Sequence, residues 1–175
     1  MRIIAGLWKG HQLNTLRGKE VRPTTDRIRE SWMAALGSDL EGANVLDLFA
    51  GSGALGLEAL SRGAKSAVFV ERSRRALKVL KSNLERLGAA SKSTVISLDA
   101  ISYTKKLDGV NFDIAFADPP YGRGLASLLL ESFATDPFAH QLWVEHRIND
   151  SIIDLEGLRQ RFYGDTVISI LEVKS

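Results

Sequence analysis

The spacing of apolar positions changes character twice along the chain, and each change marks a different kind of structure. From residue 44 to about residue 145, short apolar runs alternate with amphipathic ones. The runs predict strands at 44–48, 67–71, 94–98, 112–117 and 141–145, and helices at 53–62, 73–87 and 122–134, with a shorter helical pattern near 100–106. The 73–87 stretch is the most regular. Ala76, Leu77, Leu80, Leu84 and Leu87 recur at helical spacing, while Arg74, Arg75, Lys78, Lys81 and Arg86 fall outside the stripe. Alternating strand and helix predicts an α/β fold with a parallel sheet covered on both faces. Right-handed crossovers then bring every strand C-terminus to one edge, where such sheets bind ligands. The last part differs. Residues 158–162 and 166–173 are strand-like runs joined only by Tyr163-Gly164-Asp165, a link short enough to require an antiparallel pair. The expected sheet is seven-stranded and mostly parallel, with a C-terminal antiparallel hairpin.

Before residue 44 the pattern is of another kind. Residues 2–5 and 11–16 alternate around Trp8-Lys9-Gly10 and predict a small β-hairpin. Trp8 either covers that hairpin against the body or is free to stack on a partner. In the following Arg22-Pro23-Thr24-Thr25-Asp26-Arg27 stretch, Thr24 or Thr25 suits an N-cap for a helix running to about Leu36 and stopped at Gly37. Ile28, Trp32, Ala35 and Leu36 share one side of it, which predicts that Arg27 and Arg29 lie off the apolar stripe. The chain thus divides into a basic hairpin and helix, 1–37, and a strand–helix body, 38–175.

Charge reinforces that division. The net charge is only +2, yet residues 1–29 hold seven Lys and Arg against two acids, a net +5, leaving −3 for the rest. A basic arm on a mildly acidic body points to a polyanion, nucleic acid first. The 175 residues include no cysteine, which excludes disulfides and thiolate nucleophiles. No apolar run approaches a membrane span or a signal-peptide core, so a cytoplasmic protein, with nothing demanding more than a monomer, is expected.

The candidate chemistry sits at the predicted strand ends. Residues 45–56 read Val-Leu-Asp-Leu-Phe-Ala-Gly-Ser-Gly-Ala-Leu-Gly, an apolar strand, a glycine turn and the start of a helix. That is how α/β proteins bring bare backbone up to a nucleotide-like ligand. Asp47 and the turn follow strand one. Glu71 ends strand two, where an acid accepts both hydroxyls of an adenosine ribose. Asp99 ends strand three, where a carboxylate accepts from an adenine amine. Asp118-Pro119-Pro120-Tyr121 ends strand four. Singly, each has a plain structural use as a tight connection, a helix cap or a proline turn. Together, at one edge and in this order, they describe a ligand site. A nicotinamide dinucleotide would explain the first two features but not Asp-Pro-Pro-Tyr.

Asp118-Pro119-Pro120-Tyr121 resembles the Asp/Asn-Pro-Pro-aromatic motif of S-adenosylmethionine-dependent amine methyltransferases, and the predicted sheet is that of the Rossmann-like class I methyltransferases. The chain as a whole resembles the bacterial 16S rRNA guanine-N2 methyltransferases that modify guanine-966, the RsmD family. The matching words are residues 1–6, Arg22-Pro23-Thr24-Thr25-Asp26-Arg27, residues 47–62, Asp118–Tyr121 as quoted, and Tyr163-Gly164-Asp165-Thr166. The resemblance implies S-adenosyl-L-methionine as cofactor, with S-adenosyl-L-homocysteine as product. It implies a cofactor site from Asp47, Phe49, Ala50, Gly51, Ser52, Gly53, Leu55, Glu71, Arg72, Asp99, Ala100 and Asp118. It implies catalysis by Asp118, Pro119, Pro120 and Tyr121, with no metal. The partner would be 16S rRNA, in the small ribosomal subunit or its assembly intermediate, held by Arg2, Lys9, Arg22, Arg27 and Arg29. One departure is Ala34, where the family commonly has asparagine. The other readings are a DNA or other amine methyltransferase with the same motif, and a non-catalytic RNA-binding assembly factor. The absence of cysteine weighs against methylation at pyrimidine C5, which commonly needs a thiolate adduct.

Overall fold

The computed structural model describes residues 1–16 and 26–173. Arg22, Thr24 and Thr25, on which part of the RNA-contact and helix-cap expectations rest, lie outside the described residues. Strands β1 (Asn44–Leu48), β2 (Ser66–Val70), β3 (Ser93–Ile96), β4 (Phe112–Ala117), β5 (Ala139–Arg147), β6 (Arg159–Tyr163) and β7 (Thr166–Glu172) form one sheet. Its order is β3-β2-β1-β4-β5-β7-β6. The first five strands are parallel, β7 runs antiparallel to β5, and β6 antiparallel to β7. Helices α1 (Asp26–Leu36), α2 (Ala54–Ser61), α3 (Arg74–Arg86), α4 (Ala100–Thr104) and α5 (Leu125–Thr135) cover it. This is the predicted seven-stranded Rossmann-like α/β sheet. The chain winds outward from β1 to β3, then returns to β4, so strand order reverses between β1 and β4.

Element boundaries differ from the periodicity for local reasons. The predicted 122–134 helix begins only at Leu125, because Gly122 and Gly124 take left-handed φ angles of 69° and 68°. β5 outruns its apolar core because β7 pairs along it from Gln141↔Glu172 to Arg147↔Thr166.

Alternation along the strands feeds two cores. Val45, Ile114 and Phe116 join the cluster under α1, α2 and α3, while Leu46, Leu48, Ala115 and Ala117 join the one under α5. Trp32 of α1 is fully buried in the first cluster, against Phe116 and Trp143, with ring centroids 5.8 and 6.3 Å away.

The N-terminal segment is held to α2 more than to itself. The predicted hairpin reduces to one antiparallel bridge, Arg2↔Gln12, flanked by Ile3 N–H to His11 O (3.0 Å) and Leu13 N–H to Met1 O (3.0 Å). Residues 4 and 5 leave the ladder because their amides donate to the Glu58 carboxylate at 2.9 and 3.1 Å. Leu7 N–H then bonds Ser61 O at 2.7 Å, and a Cβ on Gly6 would sit 1.8 Å from that same oxygen, so only glycine fits there. Trp8 packs against the first core, which supports its covering role over a stacking one.

Arg29 corrects the sequence expectation. Its side chain is fully buried, so it is no phosphate contact. One turn before the buried Met33, it faces inward, 3.6 Å from the equally buried Glu58, with Asp26 at 3.1 Å and the Arg2 carbonyl accepting from its Nη2. Arg62 completes the cluster, its Nε donating to Glu58 at 2.9 Å. A single carboxylate inside the apolar α2 therefore ties down two arginines and two amides of the arm. Removing one member of a buried ion pair strands the other without solvent. Glu58→Leu is therefore expected to lower stability by about 3–5 kcal/mol, read from the denaturant midpoint, with Arg62→Ala costing far less. Equal, small effects would contradict this.

Candidate active site

Strand register assembles the site. Ile96, Val70, Leu48, Ala117 and Val144 are successive partners across the sheet, so β1 to β4 end at one level, beside Val144 of the longer β5. The residues immediately beyond β2, β1 and β4, and beside them in β5, are Glu71, Phe49, Asp118 and Glu145. The glycine turn and Asp118–Tyr121 thus emerge side by side at the point where strand order reverses.

The turn is held in a conformation that chains adopt reluctantly. Phe49 has φ 58°, alone among the described non-glycine residues in being positive, and Gly51 and Gly53 follow at 55° and 82°. Such strain persists only where the surroundings over-determine it. Ala50 N–H bonds Val70 O at 3.0 Å, Gly51 N–H bonds Glu71 Oε2 at 2.9 Å, and Gly53 N–H bonds Ala50 O at 2.7 Å. Asn83 of α3 donates to Ser52 O at 2.9 Å, and Gly56 N–H bonds Asp47 Oδ2 at 2.9 Å. A Cβ on Gly53 would lie 2.4 Å from Leu80, so the core closes on the turn from beneath. A Cβ on Gly51 would meet only Phe49 O, at 3.9 Å, so the space above is open.

The predicted cofactor residues therefore divide into support and surface. Asp47 is 2 % exposed and anchors α2, so it supports the turn and offers no face to a ligand. Leu55 and Ala100 are buried in the two cores, which leaves only their backbones to serve a ligand. Glu71 is half-buried and its oxygens accept from Gly51 and Ser73 N–H at 2.9 and 2.7 Å. A carboxylate offers about four acceptor positions, so the two bonds leave capacity for hydroxyl donors. Asp99 caps α4 through Ser102 N–H at 3.0 Å and pairs with Arg72 at 3.5 Å, its side chain 38 % exposed. An open turn beside two accessible carboxylates suits a neutral polyhydroxyl moiety with an amine-bearing ring.

Beyond β4, Pro119 is buried and Asp118 and Tyr121 half-buried. The Tyr121 hydroxyl donates to Glu145 Oε1 at 2.5 Å, and the Arg147 guanidinium lies 4.9 Å from the ring centroid. Burial, then the charges of Glu145 and Asp118, push the phenol well above its ordinary range, so it stays a donor. Glu145 is absent from the sequence-predicted site, although a signal exists: it lies at the apolar end of a fifth strand, as the other acids end theirs. A cleft of about 300 Å3 opens here, lined by Pro119, Tyr121, Gly124, Ser127, Glu145 and Asp150 among others. His146, its pKa lowered chiefly by burial, bonds the Arg147 carbonyl at 2.9 Å and Ser169 at 2.8 Å, which fixes the wall. Of the arm's cations, Arg2, Lys9 and Arg27 are exposed, and Ala34 lies exposed on α1.

This sheet, with its glycine turn and Asp-Pro-Pro-Tyr at the reversal of strand order, defines a class I methyltransferase fold. The same fold is found in an RNA methyltransferase from Salinibacter ruber solved in complex with S-adenosyl-L-homocysteine, at 12% identity and TM-score 0.66, over 86% of this chain and 93% of that one. The match becomes specific at the level of family. The model of the family described as conserved hypothetical protein 95 matches residues 1–172. Ribosomal RNA small subunit methyltransferase D of Haemophilus influenzae is 41% identical over 163 residues, covering 90% of this chain and 84% of that protein. The solved structure of a hypothetical protein from Thermus thermophilus superposes with TM-score 0.81 at 30% identity, over 99% of both chains. The chain belongs to this family, the RsmD family.

Asp47 makes the support testable. Burial pushes its carboxyl from 3.8 up to about 7, opposed by the Gly56 N–H and reinforced by the charge of Glu71. The folded state thus keeps a proton that the unfolded chain releases. The stability Asp47 contributes is fully present below about pH 4 and is lost as pH rises through about 7. Unfolding from pH 5 to 8 is expected to favour Asp47→Asn over the wild type increasingly as pH rises; parallel curves would contradict this.

Proposed function

We propose that the chain transfers a methyl group from S-adenosyl-L-methionine to the exocyclic N2 amine of a guanine in 16S rRNA of the small ribosomal subunit, guanine-966 being the position the family resemblance implies. One observation carries the reading: register sets Asp118–Tyr121 beside a strained, open glycine turn, above a cleft. The residues fit the cofactor, since Gly51 leaves room above the turn and the Glu71 and Asp99 carboxylates would accept from an adenosine's hydroxyls and amine. Gly51–Gly53 would lie under its amino-acid end. When bound, the cofactor supplies an electrophilic methyl on a sulfonium.

The chain's own residues prepare the acceptor. A guanine N2 lone pair is delocalised into the ring and is a poor nucleophile. The Asp118 carboxylate and the Pro119 carbonyl would accept its two hydrogens, hold the nitrogen in line, and stabilise the positive charge that develops during attack. Pro119 and Pro120 fix the backbone that carries those acceptors. Glu145 holds the Tyr121 hydroxyl and Arg147 lies over one ring face; a flipped base would stack on the other. Flipping costs a few kcal/mol, which phosphate contacts elsewhere offset.

Removing one preorganised acceptor of developing charge typically lowers kcat about 10²–10³-fold. Asp118→Ala is therefore expected to lose at least that much transfer of labelled methyl to 16S rRNA. Calorimetry should find cofactor binding largely retained, since Gly51, Glu71 and Asp99 are untouched and Asp118 is only one of the implied cofactor contacts. Near-normal turnover would overturn the mechanism, and a wild-type protein that methylates DNA in preference to rRNA would overturn the substrate.

A further inference from the structure

The two covered faces of the sheet differ sharply in charge. On one face, α3 carries Arg74, Arg75, Lys78, Lys81 and Arg86, all exposed, against the single acid Glu85. On the other, α5 has neither Lys nor Arg and one acid, Glu131. The α3 residues read at first as the solvated side of an amphipathic helix. A merely solvated side commonly mixes signs, which supports a helix through i,i+4 pairs. This one mostly does the opposite, with Lys81 and Glu85 its single opposite-sign i,i+4 pair. Arg74 and Lys78 are like charges at i,i+4, and Lys78 and Lys81 at i,i+3. Arg74 and Arg75 also stand in the first turn, where the helix dipole disfavours cations and the turn itself contains no acid. The arrangement weakens the helix in two ways and concentrates one sign of field.

That field is continuous with the arm. Asn14 N–H donates to Asn83 Oδ1 at 2.8 Å, Asn83 Nδ2 to Asn14 O at 3.0 Å, and Arg86 Nη1 to Asn14 Oδ1 at 3.0 Å. The arm, α1 and α3 pack into the same core, so exposed Arg2, Lys9 and Arg27 belong to the same side of the molecule as α3. From Arg74 to Arg86 the helix rises roughly 18 Å, the length over which several phosphates of one duplex strand pass, each advancing about 3.4 Å along the duplex axis. The N-terminal end of α3 starts at the level of Glu71, beside the active edge.

We infer that the outward face of α3 is an RNA-backbone surface that extends the basic arm and holds phosphates flanking the target base. The inference rests on rRNA being the substrate. Its chemistry is sequence-independent: a row of point charges that neutralises phosphates and releases counterions. Base recognition stays at the cleft.

The test compares the combined variant Arg74→Gln, Lys78→Gln, Lys81→Gln with Lys105→Gln, Lys106→Gln, a pair of exposed lysines that follow α4 on the opposite face. Binding of a 16S rRNA fragment is measured against salt. Each lost phosphate contact lowers the slope of log K on log salt by about 0.7–0.9. The triple variant is expected to lose about two units of slope, to raise KM for RNA, and to keep wild-type cofactor affinity. Its melting temperature should be unchanged or higher, because like-charge repulsion is relieved. The Lys105/Lys106 pair is expected to leave the slope unchanged. An unaltered slope in the triple variant, or an equal loss in the control pair, would overturn the inference while leaving the substrate reading intact. A wild-type protein that binds no rRNA would overturn both.

Discussion

The structure depends on a left-handed turn between β1 and α2 that is held from the sheet and from α3 while staying open above. Phe49, Gly51 and Gly53 occupy a region that disfavours side chains, and backbone, carboxylate and amide partners share the work of keeping them there. The consequences run in two directions. Towards the sheet edge, the turn exposes open backbone next to Glu71 and Asp118. Towards the N-terminus, it sets the start of α2, and α2 carries the buried Glu58 that organises the arm. The glycine turn and the basic N-terminal segment are thus joined through one helix. Asn83 adds a second link, since one side chain touches both Ser52 of the turn and Asn14 of the arm.

Much of this is legible in the sequence, for identifiable reasons. Strands covered on both faces read as short continuous apolar runs, and the helices between them keep a 3.6-residue period, so the sheet and its helices can be placed. The Tyr163-Gly164-Asp165 link forces the antiparallel end. Acids at strand ends mark the edge, and register then sets them level.

What cannot be read is the use each charge finds in three dimensions. Arg29 resembles one more cation of a basic arm, yet it is a buried counter-ion; the hint is Glu58, an acid inside an apolar helix. Asp47 has the place of a ligand contact and proves to be an anchor. Glu145 carries the same mark as the other acids, the end of an apolar run, but β5 pairs on to Arg147, so no turn follows it to draw attention to it. The basic stripe of α3 is visible, but only the fold reveals that it shares a face with the arm and that α5 opposite is nearly uncharged.

The division of labour follows from these placements. On the proposed reading, chemistry would sit where strand order reverses, a tyrosine pinned by a buried carboxylate would help place the acceptor base, and one face of the sheet would supply long-range attraction. The proposed amine chemistry is judged most directly by the product. Nucleosides from 16S rRNA incubated with the protein and methyl-labelled S-adenosyl-L-methionine can be separated and identified by mass. The account predicts label in N2-methylguanosine alone, at one position. Label in a ring-carbon or ribose product, or in an adenine, would contradict it.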